Sequence, residues 1–276
     1  MRSCSFRQIS NSMVTEKNTK PNASADEITV QPVQQSLLAR TVIITADKGG
    51  TGKTTFTKAY SHNLIERNIR TLAYDCDIRN RDLERYYGKA FPLGVKRLNL
   101  SNNSGIGTFL DGFAEQYPVM LLHLPGGAGE ITEKLESNLK LSKVANDYGY
   151  RLTFVSVLNR GRECLNSLRG LVEAYGDRAD YVVVKNLYFG EPEKFRRFDN
   201  SKTKEMLMQL NAKVISLPEL EDEAVDFVEG IDNKPGMTYA EAMIRGNAPI
   251  SITTWVNSFL ESSELQLNLA AEYLGL

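Results

Sequence analysis

Lys48-Gly49-Gly50-Thr51-Gly52-Lys53-Thr54-Thr55 decides how this 276-residue chain is read. The octet fits the phosphate-binding loop pattern G-x-x-x-x-G-K-[ST] once the first glycine slot is relaxed, and it carries a second lysine, Lys48, ahead of the glycines. Backbone N–H groups of such a loop turn inward and form a nest for phosphate oxygens. Lys53 stands where a side chain reaches the β- and γ-phosphates, and Thr54 where a hydroxyl meets Mg²⁺. Lys48 sits at the mouth of the loop, too far back to duplicate Lys53 in the same nest. A cation there can reach a nucleotide held by a second subunit, which makes a dimer the expected active form.

The flanks supply the context that the motif needs. Thr41-Val42-Ile43-Ile44-Thr45 is a β-branched run that reads as a buried strand. Thr51 to Arg67 reads as a helix with Phe56, Ala59, Tyr60, Leu64 and Ile65 on one side. Its N-terminus adds a partial positive charge to the phosphate site. Further strands are expected at Thr71–Asp75, Val95–Leu100, Val119–Leu122, Arg151–Val157, Tyr181–Val184 and Val214–Leu217. Helical stretches lie between them, around 105–114, 130–146, 163–175 and 201–211, and helices covering the sheet edge are expected over 238–272. This alternation predicts an α/β fold, a doubly wound and mostly parallel sheet with helices on both faces. Ligands then sit beyond the carboxyl ends of the strands.

Composition narrows the class. Hydrophobic residues make up 42% and charged residues 24%, ordinary values for a globular protein. No apolar run reaches the length of a membrane span, and no apolar signal core opens the chain. Cys4, Cys76 and Cys164 are scattered, so a reducing, cytoplasmic setting is expected. A net charge of −1 provides no global basic field, so any DNA contact must come from a local patch. Residues 1–38, rich in Ser, Asn, Gln, Thr and Lys, read as a disordered N-terminal tail, and 39–276 as one domain.

The octet resembles the ParA/MinD family of deviant Walker-A ATPases, whose loop reads K-G-G-x-G-K-[ST]-[ST]. The resemblance implies a P-loop ATPase domain over 39–276, ATP and Mg²⁺ as cofactors, and an ATP-dependent homodimer in which Lys48 crosses to the partner's phosphates. It assigns Gly49, Gly50, Thr51, Gly52, Lys53, Thr54 and Thr55 to the nucleotide. At the second strand's exit, Asp75-Cys76-Asp77 matches the family's D-x-D, so Asp77 is expected to orient the attacking water and help Thr54 hold Mg²⁺, with Asp75 in support. A pair of turn aspartates capping the next helix is the plainer explanation. Lys48, Lys53 and Asp77 form the expected catalytic set.

Val119-Met120-Leu121-Leu122-His123-Leu124-Pro125-Gly126-Gly127 follows the family's fourth strand with one departure. His123 stands where the family has its Walker-B aspartate. A neutral imidazole can accept one hydrogen bond from metal-bound water but brings no negative charge. Weaker metal binding, and slow or partner-stimulated hydrolysis, are therefore expected; alternatively Asp77 carries more of the metal role, and a histidine that merely fills the strand end is the plainer explanation. Gly126, Gly127 and Gly129 should permit a switch that senses the γ-phosphate. By the same resemblance Asn186, at the end of Val182-Val183-Val184-Lys185-Asn186, reads the adenine edge, and the segment at Pro218 meets the base. More loosely, 181–227 resembles plasmid StbB and TraL proteins, which serve plasmid stability or conjugative transfer.

Lys194, Arg196, Arg197, Lys202 and Lys204, with Phe195 and Phe198 between them, read either as a solvated loop or as a surface for DNA or an acidic partner. Trp255 to Leu276 carries Glu261, Glu264 and Glu272 without Lys or Arg, so core packing or a dimer face is expected, and no membrane contact. The leading expectation is a dimerising ATP switch with slow hydrolysis, in plasmid partition, plasmid stability, conjugative transfer or positioning, with an adaptor or stimulating protein as partner. A metabolic ATP-dependent synthetase on the same fold, and a nucleotide-binding module without hydrolysis, are the competing classes.

Overall fold

Seven apolar runs form one parallel sheet. In the computed structural model, which describes residues 38–46, 48–230 and 236–276, the strands are β1 (Ala39–Thr45), β2 (Thr71–Asp75), β3 (Val95–Arg97), β4 (Val119–His123), β5 (Tyr150–Leu158), β6 (Ala179–Asn186) and β7 (Lys213–Leu217). Their order is β3-β2-β4-β1-β5-β6-β7, with every pairing parallel. Interior strands of such a sheet are buried on both faces and read as continuous apolar runs, as Val119–Leu122 and Tyr181–Val184 do. Alternation divides β1 between the two faces. Val42 and Ile44 join one core cluster, Ile43 the other.

The helices complete the two outer layers. On the face of Val42 and Ile44, the packed residues come from α1 (Lys53–Glu66), α2 (Asp82–Tyr87), α9 (Asp222–Glu229), α10 (Tyr239–Met243), α11 (Ile250–Asn268) and α12 (Ala271–Leu274). The other face is covered by α3 (Asn103–Gly112), α4 (Gly129–Leu139), α5 (Leu141–Asp147), α6 (Arg162–Tyr175), α7 (Arg196–Asp199) and α8 (Lys202–Gln209). α11 buries Ile252, Val256, Phe259, Leu260 and Leu267, so its apolar face packs on the core. No helix among the described residues is long and apolar enough to cross a membrane.

Three expectations need correction. The stretch 130–146 is two helices rather than one, because Lys140 adopts a left-handed φ of 54° between them. β3 stops at Arg97, short of Leu100. Phe195 and Phe198 are 1% and 2% exposed and belong to the core, so they do not interleave with the basic side chains on the surface. Apart from Leu38, the tail expected over 1–38 lies outside the described residues.

Candidate functional site

The carboxyl ends of β1, β2, β4, β6 and β7 open on one cleft of ≈ 770 Å³, lined among others by Lys48–Thr55, Asp77, Asp82, Pro125, Asn186 and Pro218. This is the size range of small-molecule sites, roughly 300–1,000 Å³. The β1–α1 loop forms its floor. Gly50 and Gly52 hold left-handed φ values of 76° and 91°, which fold the loop back on itself. Gly52 is also sterically required, since a Cβ there would lie 2.1 Å from Asn186 Nδ2. α1 starts at Lys53 with neither a side-chain cap nor an acidic residue in its first turn. The first N–H groups of a helix have no intrahelical acceptor, so this end presents donors and positive potential to an anion. Thr51 Oγ1 in the same loop is buried without a hydrogen-bond partner among the described residues.

Lys53 is buried and closed into a small ring of hydrogen bonds. Its Nζ lies 2.9 Å from His123 Nε2, and His123 Nδ1 lies 2.9 Å from Thr57 Oγ1. The Thr57 hydroxyl spends its one proton on the Lys53 carbonyl at 2.8 Å. Thr57 Oγ1 therefore accepts from Nδ1–H, and Nε2 accepts from the lysine. The imidazole is thus neutral with its proton on Nδ1. Burial first, then the neighbouring Lys53 and Lys58 cations, hold His123 well below the usual histidine range. Burial also lowers Lys53 to about 8, against the opposing pull of Asp77, Asp75 and Asp82.

This ring bears on the alternatives open at position 123. A histidine there could offer a nitrogen to metal-bound water, leave more of the metal role to Asp77, or merely fill the strand end; here both ring nitrogens are engaged by protein groups. At position 123 the side chain serves the lysine.

The end of β2 carries the negative charge. Asp75 Oδ1 and Oδ2 accept from the N–H groups of Asp77 (3.1 Å) and Glu84 (3.0 Å). Burial pushes its carboxyl up to about 6 despite those two bonds. Asp77 Oδ1 accepts from Arg79 N (3.1 Å) and Asn80 N (3.0 Å), which fixes the turn beyond the strand. Asp82, at the start of α2, accepts from the Thr54 hydroxyl at 3.0 Å. A threonine hydroxyl among carboxylates is a hard oxygen set that fits Mg²⁺, which binds proteins through one or two carboxylates and keeps its phosphates and waters. No group of three or more His, Cys, Asp or Glu among the described residues could hold a metal ion, so the nucleotide would have to bring most of its ligands.

The remaining expected residues are placed as follows. Lys48 is exposed at the cleft mouth, 3.4 Å from Glu163 at the start of α6. Asn186 is buried; its Nδ2 donates to the Thr51 carbonyl (2.9 Å) and its Oδ1 accepts from Tyr188 N (3.2 Å), so it braces the loop. Pro218 lines the cleft at the exit of β7. The loop after β4 is tied to β1 by Gly127 N donating to Ala46 O at 3.0 Å.

Residues 42–221 match the CobQ/CobB/MinD/ParA nucleotide binding domain. The chain belongs to this family. Among curated proteins, Protein MobD of Acidithiobacillus ferrooxidans is 24% identical over 215 residues, 78% of this chain and 92% of that one. Among solved structures, it is similar to a nucleotide-binding protein of Archaeoglobus fulgidus in complex with ADP, with 15% identity, 67% and 83% of the two chains covered, and a TM-score of 0.43. The MinC:MinD cell division protein complex of Aquifex aeolicus gives 18% identity, coverage of 83% and 96%, and a TM-score of 0.44. Within the family's nucleotide-binding layout, motif spacing had pointed to Lys53, Thr54 and Asp77, but not to Asp82, Thr57 or Glu163. Thr57 had a readable signal, because i+4 from a cradle lysine on a buried helix face places its hydroxyl against the Lys53 carbonyl.

Proposed function

We propose that the protein is an ATP-dependent molecular switch of the ParA/MinD type. It binds ATP with Mg²⁺, pairs two copies while ATP is bound, and resets by slow hydrolysis. Lys53 keeps its His123 bond and turns its other ammonium protons to the terminal phosphates, Thr54 takes the metal, Asp77 places the attacking water, and Lys48 reaches the partner's nucleotide. The biological setting is plasmid partition or stability, conjugative transfer, or intracellular positioning, with an adaptor or stimulating protein as partner. The observation that carries this reading is the uncapped N-terminus of α1 behind a left-handed glycine turn, with Lys53 buried at the floor of a nucleotide-sized cleft.

Lys48 supports the pairing step. Its bond to Glu163 spans 3.4 Å between side chains more than half exposed. Such a pair is worth about 0–1 kcal/mol and does not hold the lysine back from another anion.

The test is light scattering of the full chain with ATP, ADP or no nucleotide. A dimer confined to ATP is expected, and Lys48→Ala should still bind ATP and stay single. A dimer of Lys48→Ala identical to wild type would remove the crossing role. A second reading, a nucleotide-binding module without hydrolysis, is favoured by one observation: the imidazole at position 123 is saturated by Lys53 and Thr57. Phosphate released over the same ATP incubation separates the two.

A further inference from the structure

A bound triphosphate needs its divalent cation held on the protein side by oxygen ligands. The end of β4 has none to give. His123 Nε2 takes the Lys53 ammonium, and Nδ1 gives its proton to Thr57. The end of β2 has carboxylates, but most of their capacity is used within the chain. Both Asp75 oxygens accept main-chain N–H groups, and Asp77 Oδ1 accepts two more.

Asp82 stands apart. It is half-buried, it lines the cleft, and its Oδ2 lies 3.0 Å from Thr54 Oγ1. No other carboxylate among the described residues is hydrogen-bonded to that hydroxyl. The spacing has a chemical meaning. Neighbouring ligands of an octahedral magnesium ion, each about 2.1 Å from the metal, stand about 3 Å apart. The Thr54 hydroxyl and the Asp82 carboxylate are therefore already at the separation of two adjacent ligands of one ion.

We propose that Asp82 is the metal-side carboxylate of this site, a role moved from the end of β4 to the start of α2. This inference rests on the nucleotide reading above. Thr54 and Asp82 together would hold Mg²⁺, directly or through its water, while His123 attends to Lys53. The division of labour explains how an imidazole can occupy position 123 without costing the site its metal.

The experiment is calorimetric titration of ATP into the full chain, in excess Mg²⁺ and in excess EDTA, for wild type, Asp82→Asn and His123→Gln. Circular dichroism checks the fold of each, and Asp82→Ala repeats the measurement should the amide disturb α2. Mg²⁺ is expected to raise wild-type affinity at least about tenfold, the lower end of what a metal-site partner contributes. Asp82→Asn should lose that gain, the ratio of its affinity in Mg²⁺ to its affinity in EDTA falling toward one. His123→Gln should bind more weakly overall and keep the ratio. An undiminished gain in Asp82→Asn, or a gain lost only in His123→Gln, overturns the inference. So does a wild type that binds ATP equally well with and without Mg²⁺, which leaves the nucleotide reading intact. No ATP binding under either condition removes both.

Discussion

Asp75 and His123 face each other in register at the ends of β2 and β4, yet the two strand ends do opposite work. Beyond β2, Asp75, Asp77 and Asp82 place negative charge beside the phosphate cradle, and one of them touches the Thr54 hydroxyl. Beyond β4 a single neutral imidazole is locked to Lys53 and Thr57 at 1% exposure. The difference shows that Lys53 and the Thr54 hydroxyl take their partners from different strand ends, His123 for the one and Asp82 for the other. It also shows burial outweighing attraction. Lys53 and Asp75 lie in a mutually favourable field, but desolvation still brings the lysine down to about 8 and the carboxyl up to about 6.

Removing one group from each end should give unequal results. His123→Ala leaves the buried Lys53 ammonium without its side-chain partner and takes one of the two hydrogen bonds from Thr57 Oγ1, and should cost about 2–4 kcal/mol in urea denaturation. Asp82→Asn, half-buried and bonded to one hydroxyl, should cost less than about 1 kcal/mol in the same measurement. Equal losses would erase the distinction between a structural end and a ligand-facing end.

Acid provides a smaller contrast. The folded pKa of His123 lies well below its ordinary 6.5, so the unfolded chain takes up the proton first as pH falls. Its contribution is fully present above pH 6.5 and is lost progressively below it, by at most about 1.4 kcal/mol per pH unit. His62 shifts in the same sense, and Asp75, raised to about 6, in the opposite one. Both remain in a His123→Gln variant, so the difference between the two stability curves isolates His123. Wild type should lose more stability than the variant between pH 6.5 and 5. Parallel curves would mean that the imidazole is not held neutral.

The layers were legible in the sequence because each strand is an apolar run with its own boundaries, and the glycine-lysine octet fixes where the cleft lies. The strand order was not, since it depends on pairings across the chain such as Ile44 with His123. The break at Lys140 had no glycine or proline to mark it. Phe195 and Phe198 sit three residues apart, a helical spacing that turns both inward and leaves the basic residues outside; that signal was available. Asp82 was not readable, because its significance is its 3.0 Å distance to a hydroxyl 28 positions earlier. Position 123 could be recognised as a departure, but what histidine does there required seeing both nitrogens occupied.

The most direct measurement is ATP affinity of wild type against Lys53→Ala, by titration of the full chain. If the β1–α1 loop is a triphosphate cradle, wild type binds one ATP per chain, and the variant loses at least about tenfold, the weight of one charge-assisted hydrogen bond. Equal affinity in the two proteins would contradict it, and with it the place given to every residue around the cleft.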